Sequence, residues 1–187
     1  MTLSLPTRMA LFGVATLYFL WVSRHALRNP RAHGFFRFFA WECIAALVLL
    51  NAPRWEDDPF SLRQWVSWLL LLVSPVLAWR AVRALRSQGR PDAQRPGADL
   101  LGFERTTRLV TNGVFRHIRH PMYAALLALG WGAYLKDISP ASTALIATCS
   151  LLLLLTALRD ETECLAHFGD AYAQYMRRSK RFMPYLF

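Results

Sequence analysis

No GxGxxG follows a strand-like run in this sequence, and neither a phosphate-cradling GxxxxGK[ST] loop nor a GxSxG appears, so nucleotide binding by a soluble fold is not indicated. Cysteine is scarce. Cys43, Cys149 and Cys164 form an odd set without CxxC spacing, two of them inside apolar runs, and they read as small buried hydrophobes. Acid is also short: 12 Asp and Glu stand against 22 Lys and Arg, a net charge of +10. In a soluble protein that excess would suggest nucleic acid. Here the arginines fall in patches between apolar runs, so the expected partner is anionic lipid headgroup and no nucleic-acid binding is expected. No internal repeat and no second domain are visible.

What is present is apolar. A 55% hydrophobic content with seven tryptophans in 187 residues exceeds that of an ordinary soluble domain and predicts an integral membrane protein. Five stretches approach the roughly twenty apolar residues that a helix needs to cross a bilayer core. They are residues 5–22, 35–50, 65–79 (with Pro75 inside, a predicted kink), 122–135 and 141–158. Leu3 to Val22 has only Arg8 before it and no small-x-small cleavage pattern after it, so it reads as a retained first span. The last two stretches are joined by only Lys136-Asp137-Ile138-Ser139-Pro140, which forces an antiparallel hairpin. Beyond Leu158 a stripe of Glu161, Leu165, Phe168, Tyr172 and Tyr175 at steps of three and four predicts an amphipathic continuation, with Gly169 as an interruption. The expected fold is therefore all-α: a bundle of five transmembrane helices with a C-terminal amphipathic cytoplasmic helix.

Arginine placement orients the bundle. The loop after the first span holds Arg24, Arg28 and Arg31, and the stretch after the third holds Arg80, Arg83, Arg86, Arg90, Arg95, Arg105 and Arg108. The loop after the second carries Glu56, Asp57 and Asp58. Retention of positive loops inside puts the N-terminus outside and the C-terminus in the cytoplasm. The segment from Ser87 to Glu104, rich in Gly, Pro and charge, reads as a cytoplasmic surface loop.

Two charged clusters then share the cytoplasmic face, at the two feet of the hairpin. Arg116, His117, Arg119 and His120 occupy five positions just before Pro121, and Arg159-Asp160-Glu161 ends the last apolar run. Together they suit a ligand with both signs of charge and a partner arriving from the membrane. The plainer reading is that arginines flank helices for topology and that His120-Pro121 opens a helix at its first turn. Arg80, Arg83 and Arg86 are of that plain kind. Carboxylates at a helix C-terminus oppose its dipole, so Asp160 and Glu161 require something that offsets them. His117 and His120, like Cys164 and His167, are three apart, but arginines among them would repel a cation, and no metal site is expected. Glu42 needs a partner if buried, and Arg37 is the candidate.

The run LVTNGVFRHIRHPMY, followed by a hairpin and then RDETECLAHFGDAYAQYMRRSKRFMP, resembles the integral-membrane methyltransferases of the isoprenylcysteine carboxyl methyltransferase family and its phospholipid methyltransferase relatives. The residues that carry the likeness are Gly113, Phe115, Arg119, His120, Pro121 and Tyr123, then Asp160 with Glu161, then Phe168, Gly169, Tyr172 and Tyr175, and finally Arg181 with Pro184. The resemblance covers residues 107–184. It divides the single domain into a three-span membrane region, 1–85, and a cofactor-binding region, 86–187. It implies S-adenosyl-L-methionine as cofactor, contacted by Thr107, Arg108, Leu109, Val110, Phe115, His120, Pro121, Met122, Tyr123, Asp160 and Glu161. Arg119, His120, Tyr123 and Arg159 would serve the chemistry, with Arg159 standing in for a substrate-orienting arginine that family members carry where this chain has Thr156. The acceptor would be a lipophilic small molecule or lipid bearing a carboxylate, amine or thiol, and the setting a bacterial inner membrane. A non-catalytic protein docking anionic lipid headgroups is the alternative.

Overall fold

A computed structural model describes residues 3–92 and 100–184 of the chain. Arg95 and the middle of the Ser87–Glu104 loop lie outside the described residues.

Each long apolar run folds as a helix, and all but α2 begin at a capping side chain or an N-terminal proline. α1 spans Leu5–Ser23, α2 His33–Asn51, α3 Leu62–Gln88, α4 Pro121–Tyr134, α5 Pro140–Phe168 and α6 Asp170–Arg178. Ser4 and Ser61 accept from the amides of Thr7 and Gln64, and Ser139 with Ser142 forms a reciprocal capping box ahead of Pro140. No strand forms among the described residues. Four helices, α1, α2, α3 and α5, are long and apolar enough to cross a membrane. α4, the fourth expected span, has 14 residues and covers only about 21 Å. The antiparallel hairpin it makes with α5 is present. α3 and α5 run to 27 and 29 residues, about 40 and 43 Å, so they project beyond a hydrocarbon core of about 30 Å.

α2 packs most extensively on α5, and α3 on α4. The central core sets Ala40, Ile44 and Leu47 of α2 against Ile146, Cys149, Leu153 and Ala157 of α5, with Tyr123 and Ala133 of α4. Small residues bring backbones together, as in other membrane bundles. Gly132 lies against Leu71 and the Ser67 carbonyl, and the Ser67 hydroxyl donates to Gly132 O at 2.7 Å. α1 buries only Ser23 and lies at the periphery. Its polar ties to α2 include Arg8, which donates to the carbonyls of Leu49 and Leu50, and Thr16, whose hydroxyl donates to Glu42 Oε2 at 2.8 Å. Glu42 sits mid-way along α2, and its other oxygen is buried without a hydrogen-bond partner among the described residues. The expected partner, Arg37, points elsewhere because it lies on the face of α2 turned to the α5 side.

At the hairpin turn, polar side chains saturate the backbone that the turn leaves unpaired. Asn51 donates to the carbonyls of Ala133 and Asp137, and Arg63 to those of Leu135 and Lys136. Lys136, 1% exposed, donates to Gln64 at 2.8 Å with its ammonium 3.5 Å from the centre of the Trp68 ring.

At the other end the chain is sewn to itself. Arg119 N and His120 N donate to Lys180 O and Arg181 O, and Lys180 N donates to His117 O, so the segment entering α4 lies beside the tail. Gly169, at φ 56° and ψ −134°, adopts a conformation that only glycine takes readily, and there α5 turns sharply into α6.

Candidate active site

Asp160 lies 20 residues into α5, about 30 Å from its start, which puts the acidic pair one bilayer core away from the hairpin turn. His120, at the first turn of α4, meets that pair. Its Nε2 is 3.1 Å from Glu161 Oε1 and its Nδ1 3.4 Å from Asp160 Oδ2. Glu161, 5% exposed, also accepts from Arg119 Nε at 2.7 Å and from Arg181 Nε and Nη2 at 2.9 and 3.0 Å. The Tyr123 hydroxyl donates to Asp160 Oδ2 at 3.1 Å, and its ring stacks on His120 with centroids 5.3 Å apart. Burial disfavours a charged imidazole at His120, but the hydrogen bonds and negative charge of Asp160 and Glu161 outweigh it and raise the pKa above the ordinary 6.5. Positive charge from Arg119, Arg181 and His120 therefore offsets the two carboxylates, which stand about two turns before the end of α5.

Beside this cluster is a cavity of about 110 Å³. Leu109, Val110, Phe115, Arg119, His120, Pro121, Met122, Tyr123 and Asp160 line it. Four other sequence-derived candidates stand outside its lining. Thr107 and Arg108 are exposed, because the chain bends there with both amides donating to Gly89 O, and it is Thr106 and Val110 that turn inward. Arg159 is exposed on the far side of α5, and Glu161 lies behind His120. The remaining wall comes from Leu85, Phe103, Glu104, Thr106, Cys164, Phe168, Tyr172 and Tyr175. Tyr172 and Tyr175 arrive by the Gly169 turn, and the Tyr175 hydroxyl donates to Phe115 O at 2.7 Å, joining α6 to the turn at Gly113–Arg116.

The first half of the chain adds a second layer that no local signal in its sequence announced. Arg37, 2% exposed, donates to Glu104, whose other oxygen accepts from Leu101 N at 2.9 Å. His33 places Nε2 3.7 Å from Glu104 and Nδ1 2.7 Å from Glu163. Burial pushes the Glu104 carboxyl up, but Arg37 and His33 overcome it and hold the pKa at about 2. A more open cavity lies on this side and shares Glu104, Thr106, Asp160, Cys164 and Phe168 with the first. Donor atoms of His33, Asp160 and Glu163 lie within 4.8 Å of one another, a spacing a metal ion could use. His33 and Glu163 are bonded to each other, however, and the Arg37 guanidinium 3.4 Å from His33 already brings positive charge there.

The model of the phospholipid methyltransferase family matches residues 62–171, which run from α3 through both feet of the hairpin. The cobalt-zinc-cadmium resistance protein CzcN of Cupriavidus metallidurans is 31% identical over 150 residues, covering 76% of this chain and 59% of that protein. Methanethiol S-methyltransferase of Pseudomonas deceptionensis is 24% identical over 149 residues, covering 80% of this chain and 54% of that protein. The chain thus spans a little over half the length of these relatives. No solved structure matches it. With more than half its length matched, and with four membrane-length helices around a joined arginine, histidine and carboxylate site, the chain belongs to the phospholipid methyltransferase family of integral-membrane methyltransferases.

Proposed function

We propose that the chain is an S-adenosyl-L-methionine-dependent methyltransferase acting on a lipophilic acceptor at the cytoplasmic boundary of a bacterial inner membrane. The observation that carries this is the cavity beside His120, which sets the carboxylates of Asp160 and Glu104 among the rings of Phe103, Phe115, Phe168, Tyr172 and Tyr175. That lining fits the cofactor's own chemistry: rings for a flat base, and carboxylates for ribose hydroxyls or an ammonium. When bound, S-adenosyl-L-methionine supplies a methyl group on a positively charged sulfur.

The chain's residues do the rest. Tyr172, Tyr175 and Phe115 are buried and exclude water, which would otherwise stabilise the charged reactant more than the charge-dispersed transition state. Glu161 locks Arg119 and His120 in place, and that positioning is the main source of acceleration for a simple in-line displacement. The two carboxylates that flank His120 raise its pKa and favour its protonated form over a base. That favours an acceptor that reacts as an anion, a carboxylate or thiolate, and similarity to a relative named for methyl transfer to a thiol agrees with it. Arg119, the arginine that lines the cavity, would orient such an anion in place of Arg159. The acceptor's apolar part would enter sideways between helices.

The test is calorimetric binding of S-adenosyl-L-methionine to detergent-purified protein, followed by incubation of membranes with methyl-labelled cofactor to find which lipid fraction gains label. Binding is expected for the wild type and lost in His120→Ala and Asp160→Asn. Equal binding by all three overturns the site.

A further inference from the structure

We infer that α3 carries a binding site for one anionic phospholipid, distinct from the reaction cavity, with its phosphate between Arg80, Arg83 and Arg86. Leu69, Leu72, Val76, Trp79, Arg83 and Arg86 follow one another along α3 at steps of 3, 4, 3, 4 and 3, so they form a single stripe on one face of the helix. All six are exposed. The stripe changes character in the order that a phospholipid does: aliphatic, then indole, then guanidinium.

Height agrees with chemistry. Trp79 lies about 26 Å from the start of α3, and Arg83 and Arg86 about 32 and 36 Å. A hydrocarbon core is about 30 Å thick, so the indole falls at the interface and the arginines at headgroup level.

Next to the arginines is a groove rather than a bare surface. Trp79, Arg80 and Arg83 form one wall, and Gly113, Val114 and His117 of the turn before α4 form the other. A second hollow continues it past Arg83 to Arg86. Gly113, at φ 65°, has nothing within 4 Å of where a Cβ would stand, so the space before the turn is open. The Arg83 guanidinium lies 5.2 Å from the Trp79 ring, and both side chains line the groove.

Charge complementarity names the occupant. Arg37, Arg119 and Arg181 each have a glutamate, whereas Arg80, Arg83 and Arg86 pair with no acid among the described residues. A phosphodiester above two apolar chains supplies the missing anion and covers Leu69, Leu72 and Val76 at once. Free phosphate would satisfy only the upper half of the stripe. The lipid is not the methyl acceptor, because Ala81, Ala84, Leu85 and Phe115 pack solidly between this groove and the cavity wall. It bears instead on the Gly113–Arg116 turn, whose Phe115 lines the cavity.

The experiment is native mass spectrometry of protein released from nanodiscs made of equal parts phosphatidylglycerol and phosphatidylcholine. No cofactor is involved, so the outcome is independent of the methyltransferase reading. Wild-type protein should retain one phosphatidylglycerol, and the Arg80→Gln, Arg83→Gln double variant should lose it by roughly tenfold. The control is Arg177→Gln with Arg178→Gln on α6, expected to retain the lipid. Equal loss from both pairs would mean diffuse attraction and overturn the site, as would displacement of the lipid by inorganic phosphate. Should the double variant fold poorly, brominated-chain phosphatidylglycerol still reports on unaltered protein. It should quench a fluorescence component that is absent in Trp79→Phe, and more strongly than brominated phosphatidylcholine; equal quenching by the two lipids sinks the proposal.

Discussion

Asp160 and Glu161 are adjacent in sequence yet hold different positions, and substituting each as its amide should separate fold from ligand. Glu161→Gln leaves Arg119, Arg181 and His120 around a neutral group. Removing one partner of a buried ion pair costs about 3–5 kcal/mol. Arg119 and Arg181 side chains are 10% and 17% exposed, so the lower end, about 3 kcal/mol, applies. At about 2–4 °C per kcal/mol for a chain of this length, the melting temperature should fall by roughly 6–12 °C. Asp160→Asn keeps an oxygen for the Tyr123 hydroxyl and should melt within a few degrees of wild type. It removes a charged acceptor from the cavity wall, a loss of about 1.5–3 kcal/mol in a charge-assisted hydrogen bond. Affinity for S-adenosyl-L-methionine should then drop by about 10- to 150-fold. Intrinsic-fluorescence melting and calorimetry in one detergent measure both. A Glu161→Gln protein as stable as wild type, or an Asp160→Asn protein that binds as tightly, would refute the division of labour.

Gly169→Ala forces a side chain into a backbone region that costs about 1–3 kcal/mol, so α6 should shift, protease should cut near residue 169 sooner, and ligand affinity should fall while α1 to α5 stay folded. Glu104, with a folded pKa of about 2 against an ordinary 4.5, lends stability that is complete above about pH 4.5 and is lost as pH falls towards 2. Melting temperature followed from pH 6 to pH 3 should therefore decline less steeply in Glu104→Gln; an unchanged slope contradicts the Arg37 and His33 pairing. His120 acts in the opposite sense: its raised pKa contributes fully below 6.5 and is lost as pH climbs through the folded value. His120→Gln should flatten the decline in melting temperature measured from pH 6 upward.

The helices were legible because a run of lipid-facing residues leaves little else to form. The continuation of α5 to Phe168 was legible in the stripe of Glu161, Leu165 and Phe168, and α3 continues likewise to Gln88, since a helix that leaves the bilayer only exchanges lipid for water on its outer face. Within the site, His120, Tyr123 and Asp160 were readable from charge packed beside apolar runs. Thr107, Arg108 and Arg159, which the resemblance implies, stand outside the cavity lining. The chain bends at Thr107 and Arg108, and a helix rotates by about 100° per residue, so Thr106 lines the cavity while Thr107 and Arg108 do not, and Arg159 faces away while Asp160 enters. Glu104, His33 and Arg37 were out of reach, because Arg37 meets Glu104 across 67 residues and His33 meets Glu163 across 130.

The tail stitched beside the segment entering α4 has a consequence for biogenesis. Tyr172, Tyr175, Ser179 and Arg181 are translated after every long helix, yet they roof the chamber and clamp its arginine. A nascent chain stalled before residue 170 would already be threaded through the bilayer and still be blind to its ligand. Catalytic competence should therefore switch on late and abruptly during synthesis, after insertion is complete.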